Sequence, residues 1–132
     1  MNYNILISLD YLFLFFHSLL IVFNIAGWIL KKTRKLHLIS ISLTLASWFV
    51  AGIWYGWGYC VMTDWHWQIR EQMGHPIVND SYVSFLIKEL SGFNISATNL
   101  DNSIMAMFFI AFVLTVFYNI SDYRIGRIKR TN

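Results

Sequence analysis

Apolar and polar positions separate along this chain into three long apolar stretches and one mixed segment. Residues 11–30, 36–60 and 102–121 carry no formal charge, the second being interrupted only by His37 near its start. Each reaches about 20 residues, the length a helix needs to cross the hydrocarbon core of a bilayer. The pattern predicts an all-α integral membrane bundle with transmembrane helices over about 8–31, 36–60 and 101–122. A loop at 31–35, a connection at 61–100 and a tail at 123–132 complete one domain, since no repeat, low-complexity tract or Pro/Gly-rich linker divides the sequence.

The mixed connection holds the only proline, Pro76, which lacks an amide donor and disfavours helix in the residue before it. It predicts two short amphipathic helices. The first, 63–73, opens on Thr63 or Asp64 as a cap and closes at Gly74. The second, 81–90, has Tyr82, Phe85, Leu86 and Leu90 at helical spacing and stops before Gly92. Trp65, Trp67, Tyr82, Phe85 and Phe93 suit the headgroup level, so both helices are expected in the interface on the outer surface. Asp101 is read as a cap for the third span.

Polar and small residues inside the spans predict which faces meet protein. His17 and Asn24 stand seven apart in the first span, with Leu20 and Gly27 in or beside their register, a stripe that lipid would tolerate poorly. In the second, Ser40, Thr44, Ser47 and Ala51 recur every three or four residues, and Gly52 and Gly56 form a Gly-x-x-x-Gly pair. Small residues at that spacing let helix backbones approach closely in lipid. Ser47, Ala51, Gly52 and Gly56 are therefore the candidate helix-packing residues, for the chain's own helices, a homo-oligomer or another membrane subunit.

Composition agrees: 57% hydrophobic and 18% aromatic against 13% charged is too apolar for an ordinary soluble domain. The charges are few and ordered. Lys31, Lys32, Arg34 and Lys35 crowd the first loop, and Arg124, Arg127, Lys129 and Arg130 follow the third span. The positive-inside rule makes both regions cytoplasmic and the N-terminus and 61–100 periplasmic. Asp64, Glu71, Asp80 and Glu89, with Asp101 at its end, against Arg70 and Lys88 leave the long connection mildly acidic, in keeping with that orientation. Although the net charge is +3, the basic residues lie beside membrane spans, where anionic headgroups account for them, and nucleic acid is not expected as a partner. The first span lacks a basic leader and a small-residue cleavage pattern, so it reads as a retained helix. One cysteine, Cys60, excludes an intrachain disulfide and a multi-thiolate zinc site.

Candidate chemistry gathers at two places. His17 is the only histidine well inside a span, a haem ligand or a hydrogen-bonded packing residue. Haem held by two imidazoles would need His66 to fold inward, because His37 sits at the cytoplasmic end and His75 lies outside. The aromatic end of the second span, with Trp54 and Trp57, could receive a porphyrin, quinone or lipid tail, or serve as an aromatic belt. The stretch from Cys60 to Arg70 offers Cys60 or Thr63 as nucleophile, Asp64 to orient the His66 imidazole, and Arg70 as an anion holder. On a helix, however, Asp64 and His66 are two apart and point in different directions. As metal ligands, His66, His75, Asp64, Glu71 and Asp80 match no known spacing. No metal is expected.

Several of these residues carry a resemblance. His17 followed by Phe23, the segment Leu36-His37-Leu38, and the run Trp57, Cys60, Thr63-Asp64-Trp65-His66-Trp67, Arg70 and Gly74 resemble a bacterial membrane-protein family known as a domain of unknown function (DUF2784). The resemblance extends over most of the chain. The family pattern reads Cys-Pro-Leu-Thr, often an acidic residue, then Arg and Gly; here Val61 replaces the proline and His66 stands where many members carry Glu. The Thr-Asp-Trp-His-Trp version resembles the branch found in Bacteroidetes-type bacteria, which implies the inner membrane and a periplasmic outer side. The resemblance implies no activity. The resulting expectation is a small inner-membrane packing or accessory subunit without catalysis. The alternatives are a haem, quinone or lipid binder using His17, Trp54, Trp57 and His66, and a periplasmic-face enzyme using Cys60, Asp64, His66 and Arg70.

Overall fold

Five helices account for most of the chain in a computed structural model that describes residues 2–75 and 81–131. We number them α1 (Tyr3–Ala26), α2 (Arg34–Tyr55), α3 (Val61–Gln72), α4 (Tyr82–Ser91) and α5 (Ala97–Thr131). The architecture is all-α, as the apolar periodicity predicts. Three helices, α1, α2 and Thr98–Ile128 within α5, are long and apolar enough to cross a membrane. Most of their large apolar side chains face outward, among them Phe15, Val22, Leu43, Ile53, Val113 and Phe117. Pro76, Asn79 and Asp80 lie outside the described residues.

The interior is correspondingly rich in polar groups. Lipid provides no water-driven force between helices, so close packing and hydrogen bonds hold them. The α1 stripe faces protein: His17 and Asn24 are both buried. Asn24 donates from Nδ2 to Thr44 Oγ1 (2.9 Å) and accepts from Ser40 Oγ (2.7 Å), joining α1 to α2 through both ends of one amide. His37, fully buried, donates from Nε2 to the Asn24 carbonyl at 2.9 Å, satisfying backbone at the end of α1. Gly27 permits that approach, since a Cβ there would stand 2.7 Å from His37 Cδ2. Between α2 and α5, Ile41, Phe108 and Ala111 form the apolar core, with Trp48 stacked on Phe108 at 5.0 Å. At the basic end, Asn119 Nδ2 donates to the Arg34 carbonyl (3.1 Å), while the Arg34 guanidinium pairs with Asp122 at 2.9 Å and covers the Tyr118 ring.

Two departures from the sequence expectation shape the opposite end. The second helix stops at Tyr55, short of residue 60, because Gly56 and Gly58 adopt positive φ (105° and 81°) and turn the chain back. Gly56 thus terminates the helix and does not extend a Gly-x-x-x-Gly ridge. Gly52 receives this returning loop, with Trp57 Cα 3.5 Å from where its Cβ would be. The preceding turn, Ser47–Ala51, is π-helical, and Ser47 Oγ donates to the Tyr59 carbonyl at 3.0 Å. Ser47 and Gly52 therefore pack against the chain's own loop, while Ser40 and Thr44 face α1.

The short helices also differ in detail. α3 begins at Val61, so Thr63 and Asp64 lie inside it; its N-cap is Cys60, extended and without a side-chain capping bond. α4 is capped by Ser81, whose Oγ accepts from Ser84 N, and ends at Gly92 in the left-handed conformation. α5 begins four residues before Asp101, which bonds to Ser81. α3 packs along α1, burying His66 and Ile69, while Trp65 points out and Trp67 packs against Tyr82 and Phe85.

Candidate functional site

Where α1, α3 and α4 meet, a buried polar chain joins all three. Asp10, in the first half of α1, lies 2.7 Å from His66 Nε2 and 3.2 Å from Arg70 Nη1. His66 Nδ1 lies 2.7 Å from the Tyr82 hydroxyl. His66 is fully buried and Tyr82 nearly so. Arg70 continues toward the surface, 3.6 Å from Glu89 and over the face of Phe85.

The directions of these bonds follow from charge. Burial holds the His66 pKa below its ordinary 6.5, although the Asp10 carboxylate works the other way. The imidazole is then neutral. Since the carboxylate paired with Arg70 can only accept, Nε2–H donates to Asp10 and Nδ1 accepts from the Tyr82 O–H. Burial, reinforced by the Asp10 charge, pushes the Tyr82 phenol above its ordinary 10.0 and keeps it protonated as the donor.

Tyr82 connects this chain to the interior of the spans. Its ring stacks on His17 with centroids 4.1 Å apart and is 5.6 Å from the His66 ring. His66 therefore turns inward, and Tyr82 contacts both imidazoles. His17 Nε2 lies 3.9 Å from Cys60 Sγ, and its Nδ1 is buried without a hydrogen-bond partner among the described residues. Both nitrogens of His66 are engaged, so it offers iron no lone pair without breaking this chain. Among the described residues, no three His, Cys, Asp or Glu converge on a metal position.

Beside His17 and Tyr82 is a cavity of about 340 Å³ to which all five helices contribute. Its lining mixes polar side chains, His17, Asn24, Thr44, Cys60, Thr63, Ser81, Tyr82 and Asp101, with apolar ones such as Leu20, Ile21, Trp48, Ile104 and Phe108. Among the described residues Asp101 is the only formally charged side chain lining it, and one of its oxygens accepts from Ser81. The π-helical turn and the glycine-terminated loop bring Trp48, Trp57 and Gly58 to the cavity.

The residues singled out in the sequence thus divide. His17, Trp57 and Cys60 line the cavity and Trp54 does not, although both tryptophans are largely exposed. His66 and Arg70 converge on Asp10. Asp64 turns away, accepting from Tyr59 (3.2 Å) and Gln68 (2.9 Å), so the carboxylate beside His66 comes from another helix. Asp10, Tyr82 and Asp101 are site residues that spacing within 60–74 did not reveal. Asp10 could have been found by extending the α1 stripe one step, since Asp10, His17 and Asn24 are successively seven apart.

One protein-family model, described as Protein of Unknown function (DUF2784), matches residues 8–120. The match takes in Asp10, the cavity and the whole of α3 and α4. No curated protein and no solved structure matches the chain.

Proposed function

The chain belongs to the DUF2784 family, and from its own residues we propose that it is a membrane-embedded binding protein for a small neutral amphiphile, a quinone- or lipid-like molecule. The cavity carries this reading. Its volume falls within the range of about 300–1,000 Å³ typical of small-molecule sites, and its lining combines aliphatic and aromatic side chains with polar groups. Asp101, with no Lys or Arg among the lining residues, disfavours a phosphate or carboxylate head, because two anions would then share a poorly solvated site. An uncharged head meets no such penalty. Donors such as a hydroxyl can bond to Asp101, and the aliphatic body lies against Trp48, Ile104 and Phe108.

In this reading α1, α2 and α5 cross a bacterial inner membrane with the basic end cytoplasmic, as their flanking charges favour, and the cavity opens near the periplasmic level. The Asp10–His66–Tyr82 chain holds Tyr82 against His17 and fixes that side of the cavity.

The test is organic extraction of detergent-purified protein followed by mass spectrometry, with titration of farnesol and a decyl-substituted benzoquinone against tryptophan fluorescence. Wild type should carry or bind a neutral amphiphile, and Ile104→Trp, which fills the cavity, should lose it. Equal behaviour of the two proteins would refute the proposal. A ligand-free preparation that binds neither probe would return the chain to a packing or accessory role with another membrane subunit or a second copy.

A further inference from the structure

At the basic end, a second depression lies between the start of α2 and the last third of α5, a groove of about 380 Å³. Leu38, Val116 and Ile120 supply apolar walls, and Tyr123, Arg124 and Arg127 supply its polar edge. Among the described residues, no carboxylate lines it. The single acidic residue at this end, Asp122, is already engaged by Arg34 at 2.9 Å and Lys31 at 3.7 Å. Counting residues 31–35 and 122–130, eight Lys and Arg stand against that one carboxylate, an excess of seven positive charges (8 − 1).

We propose that this groove is a binding site for an anionic phospholipid of the surrounding leaflet. The phosphate lies against the Arg124 and Arg127 guanidiniums, each of which presents its N–H donors in a planar fork suited to phosphate. One acyl chain lies along Leu38, Val116 and Ile120. The apolar wall selects a lipid over free phosphate, because only a lipid covers both halves of the groove. Arg124 and Arg127 are three apart on α5 and so share a face. The site is independent of the first cavity: its charge is opposite, and the two share no lining residue.

The experiment uses the full chain in a nonionic detergent, with native mass spectrometry reading retained lipid. Phosphatidylglycerol, phosphatidylcholine and inorganic phosphate are added separately. Each arginine near a membrane surface contributes about 1 kcal/mol to anionic lipid binding, so Arg124→Gln with Arg127→Gln should weaken phosphatidylglycerol roughly thirtyfold. Lys32→Gln with Lys35→Gln removes the same charge outside the groove and should weaken it several-fold less. Tight phosphatidylglycerol binding that the arginine pair alone abolishes supports the site. Equal retention of phosphatidylcholine, equal loss in both double variants, or full competition by inorganic phosphate would each overturn it. Helical content by circular dichroism, together with retention of farnesol by the first cavity, distinguishes loss of the site from loss of the fold.

Discussion

Replacing Asp10 by alanine removes the acceptor on which a fully buried donor, His66, and a partly buried one, Arg70, converge. His66 Nε2–H loses a 2.7 Å bond, and Arg70 loses contacts at 3.2 and 3.4 Å to the two carboxylate oxygens. A buried donor left without a partner costs about 1–3 kcal/mol, and breaking one side of a buried ion pair about 3–5. Arg70 keeps Glu89 at 3.6 Å and the Phe85 ring, which places the total near the lower end, about 3 kcal/mol. The loss falls on the docking of α3 against α1, not on the membrane spans. Hydrogen exchange of α3 amides in detergent should therefore accelerate roughly a hundredfold in Asp10→Ala. Asp10→Asn retains an acceptor for His66 and should recover about half of that free energy. Asp64→Ala is the control: its carboxylate serves Tyr59 and Gln68 and does not touch His66, so α3 should change by less than about 0.5 kcal/mol. Acceleration below threefold in Asp10→Ala, or an equal effect in Asp64→Ala, would refute the assignment of Asp10 as the partner of His66.

Because His66 has a lower pKa folded than the 6.5 of an exposed histidine, the unfolded segment binds more protons. The docking of α3 is then fully stabilised above about pH 6.5 and weakens as pH falls below it; His66→Gln should flatten the slope between pH 7 and 5, and an unchanged slope would exclude His66 as its source. Asn24→Ala breaks the bonds to Thr44 and Ser40, and interhelical hydrogen bonds in membrane proteins contribute about 0.6–2 kcal/mol each at most, so a loss of about 1–2 kcal/mol in denaturation by sodium dodecyl sulfate is expected. No measurable loss would show that close packing at Gly27 and His37 suffices to join α1 and α2.

The three long apolar helices were legible because their signal is compositional: an uncharged apolar run of about 20 residues has few other uses. The inward face of α1 was legible for a related reason, since His17 and Asn24 are expensive in lipid and must find protein. Local order was legible too, as Gly92 shows at the end of α4. What could not be read was convergence. Periodicity says that Asp64 and His66 diverge on a helix, and the structure agrees, but only tertiary packing brings Asp10 across from α1 to supply the carboxylate. Tyr82 illustrates the same limit. Its composition suits the headgroup level, yet the hydroxyl has a buried acceptor in His66 and the ring a partner in His17. Gly52 and Gly56 mark a different failure. The spacing of a helix–helix motif requires both glycines on one continuous helix, and a positive φ at Gly56 ends that helix between its two halves.

That interruption also explains where the cavity lies. Up to Ala46, α2 is regular and its polar side chains are spent on α1: Ser40 and Thr44 bond Asn24, and Thr44 also bonds its own helix. Beyond it, the π-helical turn shifts the register, Ser47 bonds the returning loop, and Gly56 and Gly58 reverse the chain. A straight continuation of α2 would present one face to α1 and α5, as its first half does. Instead the helix ends early and the loop places Cys60 beside His17, with the largely exposed Trp57 at the cavity's edge. Irregular turns of this kind carry a cost in helix hydrogen bonding and often occur at functional sites. The cavity thus occupies the one part of α2 where regular helical packing is given up, and Asp10, His66 and Tyr82 brace its far wall. If that bracing serves the cavity and not α3 alone, Asp10→Ala will weaken farnesol binding as well as loosen α3, although Asp10 lines no part of the cavity. Unchanged binding in that variant would confine the polar chain to holding α3 in place.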